Sequence, residues 1–274
     1  MIRREIPGQG LSIPAIGMGT WITFNVGKNE KLRRNRLQVL NAFFEGGGSL
    51  IDSSPMYGSA QEVVGWCLKN APDTSNLMSA TKVWTPAGGS AEQQMDDARS
   101  LWGLPSIDVM QIHNLVDWRD HLKILRQAKE AGHIKYIGVT TSHGSRHSEL
   151  EKIMRDEPLD FVQFTYNIVD RQAENRLLPL AQDRNLAVII NRPFRGGGLF
   201  RGLANQPLPT IARDMGCENW PEVFLKFILS QPAVTCAIPA TSKVAHMRQN
   251  MAAMYGRLPS VTESRQLAAY VANI

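Results

Sequence analysis

The chain has 274 residues, 43% hydrophobic and 20% charged, an ordinary globular balance that excludes a disordered chain. Its net charge of +5 includes no dense basic block: the richest run, Lys28 to Arg36, interleaves Glu30 with Lys31, Arg33, Arg34 and Arg36 and reads as a solvated helix face, so neither nucleic acid nor a membrane is expected as a partner. Three scattered cysteines (Cys67, Cys217, Cys236) exclude a disulfide framework or a CxxC zinc site, and no apolar run approaches the roughly 20 residues of a membrane span.

Arg3-Arg4 at the start is not followed by an apolar stretch, so a twin-arginine export signal is not expected and a cytoplasmic location is. Short apolar runs then recur at Pro14–Thr20, Leu50–Ser53, Leu77–Val83, Asp108–His113, Tyr136–Thr140, Phe161–Tyr166, Ala187–Asn191 and Thr235–Pro239. Several are apolar nearly throughout, as parallel strands buried on both faces require. Amphipathic helices are predicted between them at Leu32–Glu45, Asp120–Ala131, Ser148–Met154, Glu174–Arg184, Pro221–Leu229 and Val244–Met254, with a closing helix in Leu258–Ile274. Eight strands alternating with helices over this length predict an α/β fold, a single-domain (β/α)₈ TIM barrel spanning residues 1–274. The competing open, doubly wound sheet expects a GxGxxG turn after its first strand, and Gly17-Met18-Gly19-Thr20-Trp21 lacks that spacing. The loop Arg195–Pro209 follows the seventh strand, where barrels often hold a cofactor phosphate.

Chemistry in a barrel gathers at the C-terminal strand ends. There the second strand supplies Asp52, with Tyr57 on the loop after it; the third supplies Lys82 and the fourth His113. Taken singly, each has a structural explanation: a turn-former, a solvated lysine, a hydrogen-bonded histidine. Four ionisable groups on one rim are hard to explain as packing, because buried unpaired charge is costly. Tyrosine's ordinary pKa near 10 is high for acid-base work, and Lys82, aimed by Asp52, is expected to lower it. His113 would donate to a substrate carbonyl oxygen or share the proton with Tyr57. The set polarises a carbonyl and protonates an alkoxide but holds no nucleophile-base pair, so the reducing equivalent must come from a cofactor.

These segments, together with Gly17 to Trp21, Ile107-Asp108, Tyr136 to Val139, Gln163, Tyr166-Asn167, Pro193 and Ile238-Pro239, resemble an aldo-keto reductase across nearly the whole chain. The resemblance implies reduction of an aldehyde or ketone by hydride from NADPH, with NADH possible, and Tyr57 as the proton donor. It also implies a cofactor site: Gly19, Thr20, Trp21 and Asp52; Thr140 and Gln163 toward the nicotinamide carboxamide; Asn191, Arg192, Pro193, Phe194, Arg195 and Gly196 toward the ring and pyrophosphate; and Thr241, Ser242, Lys243, His246, Gln249 and Asn250 around the adenosine. Here Asn191 stands where the family usually has a stacking aromatic, Thr141 where it has asparagine, and Ala240 and His246 where it has lysine and arginine. Trp21, Tyr57, Trp84, His113 and Asn114 are the implied substrate residues, with Trp118 a further candidate.

The main alternative function is a cofactor-binding regulatory or sensor barrel with slow turnover. A metal-dependent hydrolase is disfavoured by six histidines without HxH or HExxH, so no metal is expected. A Schiff-base aldolase through Lys82 is disfavoured by a lysine paired with Asp52. The expected partner is a small carbonyl compound, and the expected state a monomer or weak oligomer.

Overall fold

The computed structural model describes residues 1–85, 89–142, 144–203 and 206–273. It opens with an antiparallel hairpin, β1 (Arg3–Ile6) and β2 (Leu11–Pro14), which sequence reasoning had missed. Eight parallel strands follow: β3 (Met18–Gly19), β4 (Leu50–Asp52), β5 (Met78–Val83), β6 (Ile107–His113), β7 (Ile134–Thr140), β8 (Phe161–Thr165), β9 (Ala187–Asn191) and β10 (Val234–Ala237). Each pairs with its sequence neighbour from β3 to β10. Isolated parallel bridges Ile16↔Ala237 and Gly19↔Ala240 join the two ends, so the sheet closes as the predicted (β/α)₈ barrel.

The first predicted strand, Pro14–Thr20, proves to be two elements: Pro14 ends the hairpin, and the barrel strand proper is Met18–Gly19. Glycine is demanded here by close approach. A Cβ at Gly17 would lie 2.7 Å from the Leu50 carbonyl oxygen, and one at Gly19 would lie 2.8 Å from that of Ile238. The freed space lets Gly17 N–H donate to Ala237 O (2.8 Å) and Gly19 N–H to Pro239 O (3.1 Å) across the seam.

The helices are α1 (Glu30–Glu45), α2 (Ala60–Asn70), α3 (Ala91–Trp102), α4 (Trp118–Glu130), α5 (His147–Asp156), α6 (Leu177–Asp183), α7 (Thr210–Asp214), α8 (Trp220–Leu229), α9 (Val244–Ala252) and α10 (Val261–Ala272). Sequence reasoning had not predicted α2, α3 and α7. Their inner faces and the outer faces of the strands form the larger core, in which Phe43, Val63, Ile112, Phe164, Val188 and Phe227 are buried. A second core fills the barrel: Leu50, Met78, Ala80, Val109, Phe161, Ala187 and Ile189, with Ile6 and Ile13 of the hairpin packed against them. The barrel is therefore filled with side chains, as the fold requires, and polar groups gather at the other end of the strands. Among the described residues no helix is long and apolar enough to cross a membrane. Cys67, Cys217 and Cys236 are free and buried. The predicted loop Arg195–Pro209 begins with a 3₁₀ stretch over Arg195–Phe200 that is interrupted at Gly196 and Gly197; its positions 204 and 205 lie outside the described residues, as does position 274 of the predicted closing helix.

Candidate active site

Side chains alternate along a strand, so residues two apart share a face. Register places Asp52 opposite Ala80, and Lys82 opposite Gln111, with His113 two residues further along β6. The predicted quartet converges. Lys82 Nζ donates to both Asp52 oxygens (2.7 and 2.6 Å) and to the Ser53 carbonyl (2.8 Å), with Lys82 1% and Asp52 2% exposed. Asp52 Oδ1 also accepts from the amides of Gln111 (3.1 Å) and Gln163 (3.0 Å). Thr20 Oγ lies 2.9 Å from both Asp52 O and Ser53 Oγ, tying the first barrel loop to this strand end.

Tyr57 ends a 3₁₀ turn, Pro55–Tyr57, that leaves β4 immediately above the ion pair. Its ring centre lies 5.3 Å from Lys82 Nζ, and it meets the His113 imidazole edge-on, centroids 5.6 Å apart and planes at 87°. The electrostatics correct one expectation. Burial, and then the Asp52 charge, hold the Tyr57 phenol well above its ordinary range instead of Lys82 lowering it. Lys82 is already neutralised by two close carboxylate oxygens, so its field at the phenol is largely cancelled and loss of hydration dominates. Burial likewise lowers the Lys82 ammonium against the opposing pull of Asp52. Burial, with a smaller contribution from Lys82, pushes His113 down to about 3. At neutral pH the site thus presents a protonated phenol and a neutral imidazole.

Tyr57, His113 and Asp52 line a cavity of about 960 Å³ that runs from the barrel mouth between the β3 loop, the Arg192–Gly197 segment and the Ala240–Asn250 segment. Among the residues implied for the cofactor, it is lined by Gly19, Thr20, Trp21, Asn191, Arg192, Pro193, Phe194, Gly196, Thr241, His246, Gln249 and Asn250. Among the described residues, Asn250 lines this cavity with a buried side-chain atom, Nδ2, that has no partner. Such atoms cost free energy unless a ligand satisfies them. Gly196 and Gly197 take left-handed conformations (φ 66° and 90°) with open space where a Cβ would be, which keeps the backbone of this turn free to approach a ligand.

The aldo/keto reductase family model matches residues 15–264. The chain belongs to this family. The reductase is 26% identical to the methylglyoxal reductase YeaE of Escherichia coli over 268 residues, 96% of this chain and 93% of that one. It is 29% identical to the pyridoxine 4-dehydrogenase of the same organism over 244 residues, covering 81% and 82% of the two chains. Among solved structures, an aldo/keto reductase from Klebsiella pneumoniae in complex with NADP and acetate superposes with a TM-score of 0.80 at 23% identity, over 99% of this chain and 96% of that one.

Not every residue implied by the resemblance faces the cavity of the reductase. Thr140 and Gln163 are 1% exposed and turned inward: Thr140 Oγ donates to Gln163 Oε1 (2.9 Å), whose amide holds Asp52. Arg195 pairs with Asp170 (3.1 Å) and, with Arg192, lines a separate, smaller cavity of about 510 Å³. Ser242 and Lys243 lie beside the main cavity without lining it; Lys243 is the exposed N-cap of α9. Trp21 is 41% exposed at the mouth, with the Arg192 guanidinium 5.9 Å from its ring centre. Trp84 is equally exposed, and its backbone is clamped by Gln94 (both bonds 2.7 Å). Asn114 Oδ1 accepts from Ser142 Oγ (3.2 Å), and Trp118 is 8% exposed in the first turn of α4. Neither Trp84, Asn114 nor Trp118 lines the main cavity. Sequence reasoning missed Gln111 and Ser54 in the quartet's surroundings, and Trp220 and Pro221 in the cavity wall. Gln111 had a signal: it lies two residues before His113, so it shares the inward face.

Proposed function

We propose that the reductase converts an aldehyde or ketone to the alcohol using NADPH, with Tyr57 as proton donor and Asp52, Lys82 and His113 as its support. The observation that carries this reading is the meeting of a protonated phenol, a neutral imidazole and a buried lysine–carboxylate pair where Tyr57, His113 and Asp52 line the 960 Å³ cavity. The cavity lies at the upper end of the volumes usual for ligand sites, and the unpartnered Asn250 Nδ2 can donate to an acceptor nitrogen or oxygen of a ligand there. The NADP complex of the Klebsiella relative supports the same choice.

When bound, the cofactor supplies the hydride. The chain's own groups do the rest. His113 donates to the carbonyl oxygen and orients it. Tyr57 gives its proton to that oxygen as negative charge develops there. Lys82, held on Asp52 with its Nζ 5.3 Å from the Tyr57 ring centre, offsets much of the Asp52 charge that would otherwise oppose loss of the phenol proton. Trp21 and Met56 wall the mouth with apolar surface. Around the adenosine end, Thr241, His246, Gln249 and Asn250 line the cavity and Lys243 stands beside it, a set that favours NADPH over NADH only moderately.

Steady-state oxidation of NADPH with a panel of aldehydes tests this, and methylglyoxal, named for the Escherichia coli relative, belongs in the panel. Tyr57→Phe should lower kcat by about 10²–10⁴-fold with little change in cofactor affinity. Wild-type turnover in Tyr57→Phe would end the assignment, and cofactor binding without turnover on any carbonyl would favour the sensor reading.

A further inference from the structure

Ser54 lies between the two halves of the proposed proton-donating apparatus and belongs to neither. Its Oγ accepts from the Met56 N–H (3.2 Å), and its carbonyl accepts from the Tyr57 N–H (3.0 Å), so it starts the turn that carries Tyr57. The same Oγ lies 2.8 Å from His113 Nδ1. Ser54 is 0% and His113 3% exposed, so neither group exchanges these bonds freely with water.

A hydroxyl has one proton and two lone pairs. Were the His113 proton on Nδ1, Ser54 Oγ would accept from both Met56 and His113, and its own proton would need a third partner. Among the described residues Ser54 Oγ has no other partner. With the proton of Ser54 directed at Nδ1, every group is satisfied: Met56 donates to Oγ, Oγ donates to Nδ1, and the single proton of the neutral imidazole is left on Nε2. The geometry points to Ser54 as a positioning residue that selects the Nε2–H tautomer of His113, so that the imidazole offers the carbonyl oxygen a donor and not a lone pair. This inference rests on the reading of His113 as carbonyl donor given above.

The choice matters because a neutral imidazole is a donor at one nitrogen and an acceptor at the other. His113 stays neutral because it is buried beside a cationic Lys82, so a second proton cannot make both nitrogens donors. Leaving one buried hydroxyl proton unbonded would disfavour the wrong tautomer by about tenfold to a hundredfold.

The test is ¹⁵N NMR of the histidine-labelled protein, with the His113 signals assigned by their absence from His113→Gln. The wild type should show Nδ1 unprotonated and Nε2 protonated across neutral pH. Ser54→Ala should shift both nitrogens toward a tautomer mixture and lower kcat about tenfold, with NADPH affinity unchanged. Ser54→Thr, which restores the hydroxyl, should recover both the spectrum and the rate. A wild-type His113 with its proton on Nδ1 overturns the inference, whether or not Ser54→Ala folds. So does a Ser54→Ala protein with unchanged tautomer and rate. Should His113→Gln instead turn over normally, the carbonyl-donor reading fails, and the spectra still decide whether Ser54 sets the tautomer.

Discussion

Replacing Lys82 with methionine would strip Asp52, only 2% exposed, of its counter-ion. Lys82 supplies both short contacts to the carboxylate, and what remains is the amides of Gln111 and Gln163, both directed at Oδ1. Among the described residues, Oδ2 would have no donor. Breaking a buried pair from one side typically costs about 3–5 kcal/mol, a large part of a total stability of about 5–15 kcal/mol. The stranded carboxylate relieves its cost by taking a proton, so its pKa in the folded variant should rise above the roughly 3.9 of an unfolded Asp. Between those two values the folded state holds more protons than the unfolded, and stability then increases as pH falls. Lys82→Met should therefore be most destabilised near pH 8 and recover toward pH 5. In Asp52→Asn/Lys82→Met no net charge is buried, and most of the loss should return. Urea unfolding of the wild type, Asp52→Asn, Lys82→Met and the double variant at both pH values, read as midpoint shifts at constant slope, measures the four proteins. Additive single-variant losses, or a Lys82→Met defect independent of pH, would show that the two side chains are not a coupled charge pair.

Three further outcomes are expected. His113 is held near 3 by burial, and then by Lys82, while an unfolded histidine titrates near roughly 6.5. The unfolded state alone takes up this proton as pH falls through that window, so stability drops with falling pH, and His113→Gln should flatten the wild-type slope by up to about 1.4 kcal/mol per pH unit in pH-dependent denaturation curves. A Cβ at Gly65 in α2 would lie 1.7 Å from the Leu101 carbonyl oxygen of α3, so Gly65→Ala should lower stability by about 1–3 kcal/mol despite alanine's better helix propensity; an unchanged or raised Tm would refute that close approach. Lys243→Ala should weaken NADPH by about tenfold and leave NADH almost untouched, as measured by fluorescence titration, because only the former carries a 2′-phosphate for an exposed lysine to attract; equal losses would remove Lys243 from that role.

The barrel was legible because its strands are buried on both faces and read as separate apolar runs. What stayed hidden was either short or mixed. The strand Met18–Gly19 has two residues, and the hairpin before it buries only Ile6, Ile13 and Pro14. Helix α3 is mostly polar, though Ala91, Met95, Ala98 and Trp102 recur at helical spacing and mark its buried face. At the site, ionisable side chains on successive strand ends could be read directly, because charge at a buried rim demands an explanation. Their supports could not. Whether Thr140 and Gln163 face a ligand or turn inward to brace Asp52 depends on side-chain direction, which spacing leaves open. The direction of the Tyr57 shift was misjudged for a related reason: burial, which spacing does not reveal, raises the phenol, and Asp52, at bonding distance from Lys82, adds to it.

The seam between β3 and β10 gives the barrel a clasp. Ladders between neighbouring strands range from two registered pairs, as between β3 and β4, to six, as between β6 and β7, whereas the ring is joined here by the isolated bridges Ile16↔Ala237 and Gly19↔Ala240. The main cavity opens across this joint, with Gly19, Thr20 and Trp21 on one bank and Ile238, Ala240 and Thr241 on the other. A molecule lying there touches both banks and laces them together. Amide hydrogen exchange in the empty protein should accordingly be fastest at the seam, and saturation of the cavity should slow it there more than anywhere else in the sheet, making the ligand a structural stave of the barrel it occupies.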